Sequence, residues 1–430
     1  MSSAPGTSLG EPARGKSFLV PIRADKGLRH AARVWWSEVD RTLILLIVLM
    51  MAVGAAAVFA ASPAAVPQAF EDPATSPQYF FKRQIAWQFA GLMLMLTISF
   101  LSRDNARRAG ILMALIMFGL LLLVPLIGET KKGATRWLYV GMSLQPSEFL
   151  KPGFAIAIAW ILSWRQRDPN LPVLYYVTGI TLAISCLLML QPNLGETLLF
   201  VGTWFVLIFL AGLALWRIAA FFAVGMGGLA LVYMFYKNGR DRIDSFLGGG
   251  TAFDQVDLAN RTLSDGGWLG KGLTLGTRKN NLPEPHTDYI FSVIGEEFGL
   301  ITCLLVVCLY LAIIARVLVR MASEEKLFPL LAGAGLIAQF GGQAFVNMLV
   351  NLKLAPATGS TLPLVSYGGS SMLAVCFTLG LLLAITRRNP YLERNTPGLR
   401  AVVERTAADR IRSQSTRFQG ASSEHKEHAG

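Results

Sequence analysis

The sequence predicts an all-α membrane protein: a polytopic bundle of about ten transmembrane helices, with one long extracytoplasmic loop between the seventh and the eighth. Three observations carry this expectation. Of 430 residues, 53% are apolar and only 15% are charged, against about 25% charged in soluble domains. The apolar residues fall in runs long enough to cross a bilayer, which takes about 20 residues per helix. Lys plus Arg number 39 against 27 Asp plus Glu, a balance of +12, and the basic residues gather at the flanks of the apolar region as they do in inner-membrane proteins. Together these exclude a soluble enzyme and a disordered chain, and they make nucleic acid an unneeded explanation of the basic balance.

Taken in order, the apolar runs are 41–61, 84–101, 109–127, 146–163, 172–190, 195–213, 216–236, 289–319, 328–354 and 370–386. The first ends in Ala-rich sequence from Ala55 to Ala65 that resembles a signal-peptide cleavage region. It is too long for such a segment and too far from the N-terminus, so an uncleaved first helix is expected. Arg23, Lys26, Arg29, Arg33 and Arg41 precede the runs, and Arg387, Arg388, Arg394, Arg400 and Arg405 follow them. An even number of helices then puts both termini in the cytoplasm, although Lys131, Lys132 and Arg136 lie on the opposite side. The chain divides into a basic tail over 1–40, a membrane domain over 41–388 and a second polar tail over 389–430. Both tails are expected to be mobile. Cys186, Cys303, Cys308 and Cys376 sit inside apolar runs without metal spacing and read as small core hydrophobes.

With this orientation the loops 128–145, 191–194, 237–287 and 355–369 face outward. A loop of about fifty residues such as 237–287 is uncommon unless it is functional, and its glycines, among them Gly248, Gly266, Gly270, Gly272 and Gly276, announce turns. The expensive residues cluster by these loops. Glu148 and Lys151 are three apart, hence on one helix face; they either fix helix packing or form a charged wall under an outward cavity. Glu296 and Glu297 lie two turns into the run 289–319 and point about 100° apart, so they are not expected to share one partner. Gln339, Gln343, Asn347 and Asn351 make a polar stripe, either for interhelical hydrogen bonds or for a groove. Asp288 sits where the long loop meets the bilayer. It is either an N-cap or, partly desolvated, a general base. His286 reads as a loop hydrogen-bonder. Gly368, Gly369, Ser370 and Ser371 open the last helix, where free N–H groups could hold an anion.

Four ordered signatures carry a resemblance. They are Arg136-Trp137 through Gln145-Pro146-Ser147-Glu148 to Lys151; Gln191-Pro192-Asn193-Leu194-Gly195; Leu282-Pro283-Glu284, then His286-Thr287-Asp288-Tyr289-Ile290-Phe291 and Glu296-Glu297; and Thr361-Leu362-Pro363 with Ser366-Tyr367-Gly368-Gly369-Ser370-Ser371. With ten apolar runs they resemble the SEDS proteins (shape, elongation, division and sporulation) over about 41–390. The division branch, FtsW, is the nearest, by Thr361-Leu362-Pro363, by Gln255-Val256-Asp257 to Gly266-Gly267, and by the two long tails. Two departures stand out. Thr358 replaces the Lys that many division members carry before Gly359, and Asn193 stands where the family usually has Asp.

The resemblance implies a ten-helix fold and polymerisation of lipid II into glycan strands at the outer face of the bacterial inner membrane, at the division septum. It also implies a class B penicillin-binding transpeptidase and other divisome proteins as partners, with Asp288 as the catalytic carboxylate. Asp288 would take the proton of an acceptor sugar hydroxyl. Arg136 and Lys151, then Arg278 and Lys279, are candidates to hold the leaving diphosphate. Glu148, His286, Glu296, Ser366, Gly368, Gly369 and Ser370 complete the expected substrate site. No protein metal cluster is apparent, and a divalent cation, magnesium or manganese, is the one cofactor to consider. The rival activities are a lipid II flippase, a non-catalytic scaffold for the transpeptidase, and the elongation-type polymerase of cell-shape maintenance.

Overall fold

The computed structural model describes residues 24–212 and 255–387, short gaps aside, with isolated positions between those two stretches. It bears out the membrane bundle. The described helices are α1 (Ala24–Glu38), α2 (Arg41–Ala69), α3 (Tyr79–Ser99), α4 (Arg103–Ile127), α5 (Pro146–Ser163), α6 (Val173–Leu190), α7 (Leu194–Leu210), α8 (Gln255–Asp265), α9 (Ile290–Met321), α10 (Leu327–Asn351) and α11 (Gly369–Thr386). Nine of the ten apolar runs are helices here. The other, 216–236, lies almost wholly outside the described residues, as do 1–23, most of the loop before Gln255, and the tail beyond Arg387. Among the described residues six helices are long and apolar enough to span a membrane: α2, α4, α6, α9, α10 and α11. α3 and α5 are as long as a span needs, but they carry Lys82, Arg83 and Gln84, and Glu148 and Lys151, within their first turns.

The sequence-based expectation is modified at four places. Part of the N-terminal tail is the helix α1. Its Trp35 is buried, stacks on Phe100 with ring centroids 4.5 Å apart and donates to Ser99 Oγ at 3.1 Å. The outer loop 128–145 is a small antiparallel sheet, β1 (Glu129–Lys131), β2 (Ala134–Tyr139) and β3 (Ser143–Leu144) in the order β1-β2-β3, so the protein is not purely helical. α9 is not continuous: Gly299 adopts φ +82°. Finally, Cys186 and Cys308 are exposed on the apolar exterior while Cys303 and Cys376 are buried; all four are free thiols.

The helices supply an internal ruler. At one end Asp40 caps α2, accepting from Leu43 N at 3.1 Å, and its carboxylate takes Arg316 at 2.8 Å and Arg320 at 3.3 Å. From Asp40 to Ala60 is about 30 Å at 1.5 Å per residue, the thickness of the hydrocarbon core. The last outer loop dips well inside that thickness. Tyr310 Oη donates to Pro363 O at 2.5 Å, and a Cβ on Gly54 would stand 2.5 Å from Leu364 O. Gly54 lies about 21 Å above Asp40 on the same scale, so the segment 352–368 is re-entrant. Its backbone carbonyls at that depth are met by side chains, as a bilayer demands: Gln343 Nε2 takes Thr361 O at 3.0 Å, and Asn347 Nδ2 takes Ser360 O at 2.7 Å.

Candidate active site

The polar stripe of α10 organises the site in two tiers. In the lower tier, Lys151 of α5 lies between Glu148 at 3.0 Å and Glu196 of α7 at 3.2 Å, and donates to Gln343 Oε1 at 2.7 Å. All four side chains are buried. The ring closes through Thr361 Oγ1, which shares a 2.9 Å hydrogen bond with Ser371 Oγ, and through Ser371 to Glu148 Oε2 at 3.5 Å. An isolated ammonium at this depth would cost several kcal/mol. Two carboxylates and an amide explain why Lys151 stays there. The pair Glu148–Lys151 forms as its three-residue spacing predicts. Glu196 was missed in sequence, although it is an ionisable residue at the head of an apolar run, one position beyond a motif already singled out.

In the upper tier, one and two turns further along α10, Asn347 and Asn351 both donate to the carbonyl of Asp288, at 2.8 and 3.1 Å. Asn351 Oδ1 in turn accepts from Ser292 N at 3.1 Å and Ser292 Oγ at 2.7 Å. The main chain of Asp288 is therefore clamped before the first turn of α9. Tyr289 occupies the N-cap position and its own side chain makes no capping bond; Asn351 Oδ1, accepting from Ser292 N, serves the first turn instead. The Asp288 side chain points toward Gly359. A Cβ built on that glycine would stand 3.7 Å from Asp288 Oδ2 and 3.9 Å from Arg136 Nη1. Gly359 has φ +69°, a conformation other residues adopt only at a cost. Arg136 reaches this point from β2, is buried, and donates from Nε to Gln191 O at 3.1 Å. A carboxylate and a guanidinium thus converge above the charged cluster.

Other expected site residues serve the frame. His286 packs its ring 4.1 Å from Phe80, and its carbonyl accepts from Tyr367 N at 2.8 Å. Ser366 Oγ donates to Thr287 O at 2.6 Å and accepts from Leu362 N at 2.8 Å; it staples the two outer loops together. Gly368 precedes α11 and Gly369 and Ser370 begin it, half-buried, with Gly369 so close to Trp87 that a Cβ would stand 2.7 Å from the indole. Glu296 is spent on structure. Its two oxygens accept from Arg278 N at 2.7 Å and Lys279 N at 2.9 Å. Glu297 pairs with Lys279 Nζ and accepts from Gly276 N at 3.2 Å. The two glutamates therefore do share a partner, against the helical-wheel expectation, because the loop 276–279 wraps around the helix and meets both faces. Lys279 is buried and also donates to Ala60 O at 2.9 Å. Arg278 is half exposed and pairs with Asp265 at 3.1 Å. Among the described residues no group of three or more His, Cys, Asp or Glu converges.

Comparison with known proteins shows the family. Residues 40–391 match the model of the FtsW/RodA/SpoVE family, described as cell cycle proteins. A probable peptidoglycan glycosyltransferase FtsW of Caulobacter vibrioides is 34% identical, over 84% of this chain and 93% of its own length. Stage V sporulation protein E of Bacillus subtilis is 30% identical, over 82% of this chain and 98% of its own. Among solved structures, a chain from a peptidoglycan synthase complex that coordinates polymerization and crosslinking superposes with a TM-score of 0.66 at 28% identity, covering 84% of this chain and 99% of that one. The rod shape determining protein RodA of Thermus thermophilus gives 0.61 at 29% identity, covering 83% and 99%.

Proposed function

The chain belongs to the FtsW/RodA/SpoVE family, and from that premise we propose that it polymerises lipid II into glycan strands during cell division, with Asp288 as the general base. It is a multi-pass bacterial membrane protein and a peptidoglycan glycosyltransferase of the FtsW type. Its partners on this reading are lipid II, a class B penicillin-binding transpeptidase and other divisome proteins. It acts at the septum, with both termini in the cytoplasm.

The convergence of Asp288 and Arg136 at Gly359 carries the reading. The acceptor hydroxyl oxygen attacks the anomeric carbon of the donor sugar. The bond from that carbon to the diphosphate oxygen breaks, and the hydroxyl proton passes to the Asp288 carboxylate. Diphosphate leaves as a stable anion, so the second carboxylic acid of glycoside hydrolysis is not required. The charge that develops on it falls to Arg136, whose forked donors suit phosphate oxygens. Clamping by Asn347 and Asn351 fixes the base in place, which is where such sites gain rate. Lys151 lies a tier below and is neutralised by Glu148 and Glu196, so it supports the cavity wall and is a weaker candidate for the diphosphate than Arg136. A divalent cation would enter with the substrate diphosphate.

The test is lipid II polymerisation by purified protein together with its transpeptidase, comparing the native chain with Asp288→Asn. Strands from the first and none from a folded, partner-bound variant are expected. Equal product from both would remove Asp288 as the base. No product from either would favour the flippase or the scaffold.

A further inference from the structure

The loop between α8 and α9 does something unusual at the break in α9. Residues 266–272 enter the gap at Gly299 and satisfy the backbone on both sides of it. Lys271 N and Gly272 N donate to Glu296 O at 2.9 Å and Glu297 O at 3.0 Å. Gly267 O and Trp268 O accept from Leu300 N at 3.0 Å and Ile301 N at 3.3 Å. Close approach requires the glycines: a Cβ on Gly270, at φ +80°, would stand 2.3 Å from Glu297 O. Yet the side chains of this segment point away from the protein. Trp268 is 73% exposed, Leu269 80%, Leu273 48% and Leu275 68%. Four large apolar side chains in eight residues are far more than an aqueous loop exposes by chance.

Their depth says what covers them. Trp268 is bonded to Ile301, which lies about 22 Å up α9 from Arg316, the partner of Asp40 at the other membrane face. Lys279, a few residues on, reaches Ala60, about 30 Å up α2 from Asp40. The segment 268–275 therefore lies between about 22 and 30 Å of the ruler, at the outer edge of a core about 30 Å thick. It also continues the surface of the spanning half of α9, where Ile301, Leu304 and Leu305 are more than half exposed. Charged groups rim it: Lys271 and Arg278 both meet Asp265. Tryptophan in an apolar ledge edged by basic residues is the composition of a membrane interface.

We propose that residues 268–275 form an apolar ledge embedded in the bilayer leaflet on the Asp288 side, with Trp268 at the headgroup boundary and phospholipid acyl chains as its occupant. The ledge anchors the loop that fills the helix break, and so ties the carboxylate-bearing upper half of α9 to the lipid surface. This stands on the membrane bundle alone and not on the assigned chemistry.

A photoreactive benzoylphenylalanine at Leu269, in the full chain reconstituted in phospholipid nanodiscs, tests it against the same probe at Leu304 of α9. Phospholipid adducts at 269 within about threefold of those at 304 are expected, and they persist when a transpeptidase partner is added. Adducts at 304 with none at 269, or adducts at 269 that pass to the partner protein, would overturn the proposal. A second measurement leaves the loop nearly native. Trp268→Phe should remove a resolvable share of the fluorescence quenching by lipids brominated near the headgroup. Unchanged quenching would likewise overturn it.

Discussion

Asp288 and the pair Glu296–Glu297 lie on one stretch of chain, at the start of α9 and just before its break, and the structure treats them oppositely. Both oxygens of Glu296 accept main-chain N–H groups of the loop 276–279, and Glu297 holds Lys279. These carboxylates bind the protein to itself. At Asp288 the main chain is what is held, by two asparagine amides, while the carboxylate turns toward Gly359 and Arg136. Acidic residues in this membrane protein are therefore told apart less by depth than by what their carboxylates face. The Glu296 side chain is a fastener of backbone donors; on the function proposed above, the Asp288 carboxylate faces the acceptor beside Arg136.

The sharpest way to break this contrast is to remove each charge with minimal change of shape. Asp288→Asn should lower polymerisation by about 100-fold or more, in the range of a lost general base, and leave thermal unfolding in detergent nearly unchanged. Lys151→Met should do the reverse. It leaves Glu148 and Glu196 buried beside each other without a counter-charge, a loss of about 3–5 kcal/mol, read as a lower unfolding midpoint and poor recovery from membranes. Glu296→Gln keeps one acceptor of two and should cost about 1–3 kcal/mol, with any fall in rate no larger than the lost folded fraction explains. A fall in rate at full stability would make Glu296 part of the chemistry. Gly359→Ala is subtler. Left-handed backbone costs a non-glycine residue about 1–2 kcal/mol, and the new methyl would stand between Asp288 and Arg136 at ordinary contact distance. Its signature should be a rise in KM at a small stability cost, since the acceptor and diphosphate would share that space.

How much of this was legible in the sequence follows from the same physics. Nine apolar runs and the Glu148–Lys151 pair were readable because cost in a bilayer depends mainly on residue type and position along the chain. Glu196 carries the same signal, an ionisable residue at the head of an apolar run, one position past Gly195. The break at Gly299 was not readable, because a glycine in an apolar helix is ordinary in membranes; only the distant segment 266–272, docked into the gap, makes it a break. The shared partner of Glu296 and Glu297 depends on the same docking. Helix α1 was hidden for a different reason: its segment is polar and basic on average and precedes the apolar runs, so it reads as a tail until Trp35 is seen stacked on Phe100. For the candidate site itself, spacing paired Glu148 with Lys151 and aligned the stripe from Gln339 to Asn351, but it left the role of Asp288 open and did not show the tiers. Those arise from one helix face, Gln343 to Asn351, meeting a re-entrant loop.

The weakest expected effect tests the outer edge of the comparison, where a carboxylate is a fastener in water rather than in the membrane. Asp257 of α8 accepts from Lys353 at 2.8 Å and pairs with Arg261 at 2.8 Å, joining the outer helix to the chain just past α10. The Lys353 hydrogen bond first, and then the Arg261 charge, hold its carboxyl below the usual carboxylate range despite some desolvation. The folded value lies below the unfolded one of about 3.9, so this pairing contributes fully above that pH and is lost as pH falls through the folded value. Ion pairs of this kind are worth roughly 0.2–1 kcal/mol, too little to unfold the bundle but enough to shift how often α8 lifts away. Hydrogen exchange over 255–265 in nanodiscs should therefore quicken when the pH is lowered from 6 to 3, after correction for the intrinsic rate. Lys353→Gln should give the faster opening already at pH 6 and flatten the dependence. If exchange stays unchanged in both, α8 is held by its apolar contacts through Val256, Ala259 and Leu263 and the ion pair is incidental.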